Sequence, residues 1–112
     1  MSDVRPTITD YFTCEPLEVG DHGLRLRGEL DLASARTFRE ACDGLNRERQ
    51  VTLDLAELTF IDSTGLHALL QYANGNGAAG PVILRNVSPP IFRLLHITGL
   101  DASPTLEIHQ AP

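Results

Sequence analysis

The chain has 112 residues, 42% of them hydrophobic and 21% charged, and this balance is typical of one folded domain. Nine basic against fifteen acidic residues give a formal charge of −6, which argues against nucleic acid as a partner. The apolar runs are far shorter than the ~20 residues of a membrane-spanning helix, and residues 1–6 lack the apolar core of a signal peptide. We therefore expect a cytoplasmic protein without direct membrane insertion.

The first third of the chain predicts a flexible tail followed by a hairpin. Residues 1–9 are polar and contain a proline, so we expect the folded domain to cover residues 10–112. Residues 11–19 and 24–30 are predicted strands joined by a short turn. Pro16 predicts that the first of these strands is an edge strand or a bulged one. A homodimer, in which this edge pairs with a second copy of the chain, is an open alternative.

Helices and strands alternate in the rest of the chain. Apolar residues at helical spacing predict helices over residues 34–47, 63–74 and 89–98. Ser88 is the predicted N-cap of the third helix, and Gly99 is predicted to follow its end. Strands are predicted over three further stretches, 51–55, 82–84 and 105–108. The order is β-β-α-β-α-β-α-β, and the class is α/β.

The predicted strands keep one polar face, as in Arg25, Arg27 and Glu29 of the second strand. A sheet covered by helices on both sides would instead have nearly continuous apolar strands. The pattern therefore predicts one domain with a mixed β-sheet, helices mainly on one face and a more open opposite face.

The segment 53–67 is the strongest candidate for a functional site. It reads as a strand, a short loop and the first turn of a helix, and such junctions at the ends of strands often bind ligands or partners. Asp62 or Ser63 can cap this helix by accepting a hydrogen bond from a free backbone N–H. Because Asp and Ser are common caps, the residues alone favour a turn that only caps the helix.

Four motifs in this order resemble those of STAS domains, in particular of bacterial anti-sigma factor antagonists. They are GELD at residues 28–31, LDL at 53–55, FIDSTGL at 60–66 and SPPIFRLLHITGL at 88–100. The resemblance covers roughly residues 22 to 110 and implies the STAS fold.

The resemblance also implies a phosphorylation switch. In the family, the serine after the aspartate is phosphorylated, and here that residue is Ser63, with Thr64 as a minor candidate. The kinase would be a partner that is also an anti-sigma factor, and a metal-dependent phosphatase would remove the phosphate. The unphosphorylated protein would bind the anti-sigma factor and release the sigma factor.

The residues implied in partner binding surround this serine. They are Asp31, Asp62, Ser63, Thr64, Gly65 and His67. His67 stands where the family most often has glycine, and it follows Ser63 by four residues on the predicted helix. One hypothesis is that His67 pairs with a phosphate on Ser63; the alternative is an ordinary surface histidine. His96, where the family often has aspartate, is expected on the exposed face of the third helix without an assigned role.

Other functions are open but less well supported by the residues. Relatives that serve as accessory subunits of a membrane transporter (ABC-type lipid transport) often lack the Asp-Ser pair present at Asp62 and Ser63, and a signalling scaffold is a further alternative. We predict no enzymatic activity, because no base and acid are placed on Ser63 as in a hydrolase. Neither a cofactor nor a metal site is expected, and Cys14 and Cys42 are predicted buried thiols.

Overall fold

A six-stranded sheet forms the centre of the fold, and its strands follow one another in chain order from edge to edge. It is seen in a computed structural model that describes residues 8–9, 11–18, 20–75 and 79–112. The strands are β1 (Ile8–Thr9), β2 (Phe12–Pro16), β3 (Gly23–Leu30), β4 (Thr52–Ile61), β5 (Val82–Val87) and β6 (Leu106–Gln110). The helices are α1 (Ala35–Asp43), α2 (Ser63–Gly75) and α3 (Pro89–Ile97), and a short 3₁₀ turn covers Leu100–Ala102.

The first three strands are antiparallel and include the predicted hairpin. β2 pairs with β3, and the two-residue β1 pairs with β2. The sheet therefore begins two residues before the predicted domain boundary at residue 10. For residues 1–7, which lie outside the described residues, the flexible tail stays a prediction.

The remaining strands are parallel, and each is connected to the next by a helix. β3 pairs with β4, β4 with β5 and β5 with β6, all in parallel. Because parallel crossovers are almost always right-handed, an unbroken strand order places all three helices on the same face. Residues of all the helices and of the inward-facing strand positions share one buried core, which includes Phe38, Leu69, Leu95, Leu26 and Leu55. The predicted mixed sheet with helices mainly on one face is confirmed.

The opposite face of the sheet is covered by paired charges. Arg25 contacts Glu18 at 3.4 Å, and Arg27 contacts Glu57 at 2.7 Å. The two arginines alternate with buried leucines of β3, as the polar positions of the sequence indicated. This face therefore carries a network of ion pairs in place of a second helical layer.

Strand β4 differs most from its prediction. It runs to Ile61, where the sequence pattern predicted an end at residue 55 and a loop. Two register shifts against β3 interrupt the alternation of apolar and polar residues, between Arg25 and Arg27 and between Gly28 and Glu29. The predicted loop is thus wrong, and only Asp62 separates β4 from α2.

The helix ends are close to the predicted ones, with two differences. α1 ends at Asp43, four residues before the predicted end at residue 47. Ser88 precedes α3 but makes no capping hydrogen bond through its side chain, and prolines occupy the first two positions of that helix. Gly99 has the positive φ of +79° that a residue after a helix end often adopts, as predicted.

Candidate functional site

The site lies where the parallel strands β3 and β4 end side by side. Leu30 is paired with Ile61 at the last position of both strands. The next residues, Asp31 and Asp62, therefore leave the sheet at the same edge. The backbone N–H of Asp62 donates to the carbonyl of Leu30 at 3.2 Å, so the two chain exits are directly connected.

Asp62 caps helix α2. Its Oδ1 accepts a hydrogen bond from the N–H of Gly65 at 3.0 Å, and its carbonyl accepts from the N–H of Leu66 at 2.9 Å. Ser63 is therefore the first residue of the helix, and its exposed hydroxyl has no capping role. A hydroxyl in this place is accessible to another protein, and modifying it leaves the cap intact.

Gly65 allows α2 to begin close to β3. A Cβ atom added at this position would lie 2.4 Å from the carbonyl oxygen of Leu30 and 2.9 Å from Cγ1 of Ile61. Any larger residue would push the helix away from the strand end. Gly65 is buried, so its observed contacts are with its own chain, and direct binding of a partner by Gly65 stays a prediction.

Asp31 builds the turn that leads into α1. Its Oδ1 accepts hydrogen bonds from the backbone N–H groups of Ala33 and Ser34 at 3.0 and 3.2 Å. The buried Ser34 hydroxyl in turn donates to the carbonyl of Glu29 at 2.7 Å. Asp31 is half-buried, and these contacts give it a structural role beside any role in binding.

Ser63 and His67 line one shallow cavity of ≈ 220 Å³. Its other lining residues are Leu66, Leu70, Thr98 and Leu100. The structure thus brings the start of α2 together with the Thr-Gly-Leu segment that follows α3. Both Ser63 and His67 are exposed, whereas Thr64 is half-buried and less accessible as a second site of modification.

Two exposed apolar side chains at this edge were missed by the sequence analysis. Leu32, in the turn after β3, is 76% exposed, and Phe60, next to the end of β4, is 48% exposed. The undetected register shifts in β4 hid the outward direction of Phe60. An apolar residue in the connection between the predicted strand 24–30 and the predicted helix 34–47 was a usable signal for Leu32. Large apolar side chains on a surface are typical anchors of protein interfaces.

Asp54 is the central residue of the LDL motif and lies away from the site. Its carboxylate connects strands β3, β4 and β5. It accepts hydrogen bonds from the Ala56 N–H and the Asn86 side chain at 3.0 and 3.1 Å, and Arg85 and Arg25 lie at 3.5 and 3.6 Å. Burial acts to raise the pKa of Asp54, but these hydrogen bonds and positive charges outweigh it and hold the pKa below its usual value. Asp54 therefore stabilises the sheet as a carboxylate.

A larger cavity of ≈ 430 Å³ lies between α1 and α2, away from Ser63. Its charged lining residues carry both signs, being Arg36, Arg39, Arg47, Glu40 and Asp43. Neither Ser63 nor His67 is among its lining residues, so it is separate from the site at the sheet edge.

The cysteines and His96, which the sequence analysis also singled out, lie apart from this site. Cys14 and Cys42 are buried free thiols, as predicted, and burial raises the pKa of Cys14 to about 12. His96 is exposed and contacts Asp101 at 2.8 Å. Within the described ranges, no cluster of His, Cys, Asp or Glu side chains has a composition suited to a metal ion. In the same part of the chain, no helix has the length and apolar character needed to cross a bilayer.

Comparisons with known proteins point to one family. A family model described as "Mlab, STAS domain" matches residues 17–108. The anti-sigma F factor antagonist of Paenibacillus polymyxa is 37% identical, and the match covers 69% of each chain.

Solved structures show the same fold. The anti-sigma factor antagonist SpoIIAA in its unphosphorylated form matches with a TM-score of 0.58 and 24% identity over 86% of each chain. The Bacillus cell fate determinant SpoIIAA in its phosphorylated form matches with a TM-score of 0.59 and 25% identity, covering 88% of this chain and 91% of that one. Part of the murine anion transporter Slc26a9 also matches in fold, with a TM-score of 0.63, 14% identity and coverage of 96% of this chain and 21% of the transporter.

Proposed function

The chain belongs to the STAS domain family, and we propose that it acts as an anti-sigma factor antagonist switched by phosphorylation of Ser63. The unphosphorylated protein binds an anti-sigma factor that is also a serine kinase, and the sigma factor is released. Phosphorylation of Ser63 ends this binding, and a metal-dependent phosphatase restores it. The protein works in the cytoplasm and has no catalytic activity of its own.

One observation carries the proposal: Ser63 is exposed and is the first residue of α2, while Asp62 supplies the cap. A phosphate there adds a charge of about −1.5 to −2 and faces the free N–H groups and positive dipole end of the helix. The domain therefore keeps its fold when phosphorylated. A docked partner is excluded by the bulk and charge of the phosphate, to which the neighbouring Asp62 adds like charge.

The test is binding of the anti-sigma factor that co-purifies with the protein from its native cell. Ser63→Ala should bind permanently, and Ser63→Asp should weaken binding by about tenfold or more through charge repulsion and desolvation. The dissociation constants are measured by calorimetry. Intact mass of the co-purified protein, before and after phosphatase treatment, shows whether a single phosphate is carried.

Ser88→Asp is the matched control. Ser88 also precedes a helix, and aspartate is a good N-cap, so this variant adds one negative charge at another helix start without disturbing the fold. It should bind like the wild type. Equal binding by Ser63→Ala and Ser63→Asp, or equal loss in Ser63→Asp and Ser88→Asp, contradicts the proposal.

A second candidate is an accessory subunit of an ABC-type lipid transporter, favoured by the description of the matching family model as Mlab. This function requires docking to a nucleotide-binding subunit and does not require a modifiable Ser63. Co-purification with an ATPase subunit, unaffected by Ser63→Asp, would support it over the first candidate.

A further inference from the structure

His67 lies one helical turn after Ser63 and faces the same cavity. We propose that, once Ser63 is phosphorylated, the His67 imidazolium binds the phosphate and holds it over this cavity. The proposal rests on the proposed function, because it concerns the phosphorylated state of Ser63. In this role His67 is a positioning residue, and the phosphate on Ser63 is the group that it binds.

The helix geometry brings the two side chains together. Residues four apart on a helix are neighbours, with Cβ atoms about 5–6 Å apart. Ser63 is the first residue of α2 and His67 the fifth, both are exposed, and both line the ≈ 220 Å³ cavity. A phosphate on the Ser63 hydroxyl extends from the serine and comes within reach of the His67 ring.

Among the described residues that line this cavity, only His67 has a side chain that can carry a positive charge. The other residues lining this cavity, Leu66, Leu70, Thr98 and Leu100, are all uncharged.

Several charged groups on the neighbouring elements make other contacts or line another cavity. The Asp62 carboxylate accepts a hydrogen bond from Gly65, and Asp101 contacts His96 at 2.8 Å. The charged residues of α1 next to α2 line the separate cavity between those helices, where Arg36 also pairs with Glu40.

The pairing makes the phosphate cover the apolar cavity. A phosphate anchored by His67 lies above Leu66 and Leu100, where a partner's apolar side chain would otherwise enter.

The experiment uses full-length protein with phosphoserine incorporated genetically at residue 63, so that no kinase is needed. The second ionisation of the phosphate is followed by phosphorus NMR between pH 4 and 8 (about two pH units on each side of its usual midpoint). In the wild type, its midpoint should lie about half a pH unit lower than in His67→Gln, because the imidazolium favours the doubly charged phosphate.

His96→Gln is the control, since His96 is also exposed, near the end of α3, but does not line this cavity. It should leave the midpoint at the wild-type value. Identical midpoints in the wild type and His67→Gln, or an equal change in His96→Gln, would overturn the proposal. The two proposals can fail separately. If the midpoints differ as expected but intact mass shows no phosphate on Ser63 in the cell, the pairing is supported and the proposed function is contradicted.

Discussion

Gly65 lies where helix α2 passes closest to the end of β3. Replacing it by alanine places a Cβ atom 2.4 Å from the Leu30 carbonyl oxygen, and neither backbone can yield without moving the helix start. We expect Gly65→Ala to lower the free energy of unfolding by about 1–3 kcal/mol, as other overpacked sites do. Urea denaturation followed by circular dichroism measures this change.

Gly75 provides the comparison on the same helix. A Cβ atom there meets nothing within 4 Å. Gly75→Ala should leave stability unchanged or raise it by up to about 1 kcal/mol, because alanine has the higher helix propensity. If both variants unfold at the same urea concentration, the close approach at Gly65 is not what constrains the start of α2.

At the same residue scale, the sequence left the division of roles between Asp62 and Ser63 open. Both residue types are good caps, so propensity alone cannot say which one begins the helix. The extension of β4 to Ile61 decides it, since it places Asp62 just outside the helix and Ser63 just inside. The accessibility of the Ser63 hydroxyl follows from this register.

At the scale of elements, Asp54 connects β3, β4 and β5 through one buried carboxylate. Asp54→Asn removes the charge that faces Arg25 and Arg85 and should lower the free energy of unfolding by about 1–3 kcal/mol at pH 7. Because the pKa of Asp54 is lowered in the fold, its contribution is complete above the ordinary aspartate pKa of about 3.9. The contribution is lost as pH falls through the lowered value.

The measurement is urea unfolding of the wild type and Asp54→Asn from pH 7 down to pH 3. The stability difference between them should stay constant to about pH 4.5 and then shrink. Glu57→Gln is the control, since Glu57 lies on β4 like Asp54 and pairs with Arg27 of β3 but is half exposed. This change should lower the free energy of unfolding by less than about 1 kcal/mol. A difference that grows towards acid would contradict the role given to the Asp54 charge.

Most elements could be predicted from the sequence, and the exceptions have physical causes. The helices show strong apolar stripes, and the hairpin has a clear turn between its strands. The prediction of β4 failed because its two register shifts each break the period of two on which strand prediction depends. Glu57 and Phe60 were therefore assigned to a loop. The outward direction of Phe60, and with it part of the candidate interface, was therefore not predictable from alternation.

At the scale of the whole molecule, the edge where β3 and β4 end differs in character from the open face of the sheet. The edge with Ser63 also presents the exposed side chains of Leu32 and Phe60, and the proposed partner is expected to dock there. The open face beside it is occupied by ion pairs such as Arg27–Glu57, which makes it a poorer apolar docking surface. We therefore expect the partner to dock at this edge and not on the open face of the sheet.

Leu32→Ala and Phe60→Ala test this location of the interface. Each should weaken binding of the anti-sigma factor by about fivefold to tenfold, the loss expected for a moderate apolar anchor, while leaving stability almost unchanged because both side chains are exposed. Ile83→Ala is the control: Ile83 pairs with Thr52 at the opposite end of β4, so it should affect stability more than binding. If calorimetry shows weaker binding only for the Ile83 variant, the docking surface lies at the other end of the sheet. The partner would then bind away from Ser63.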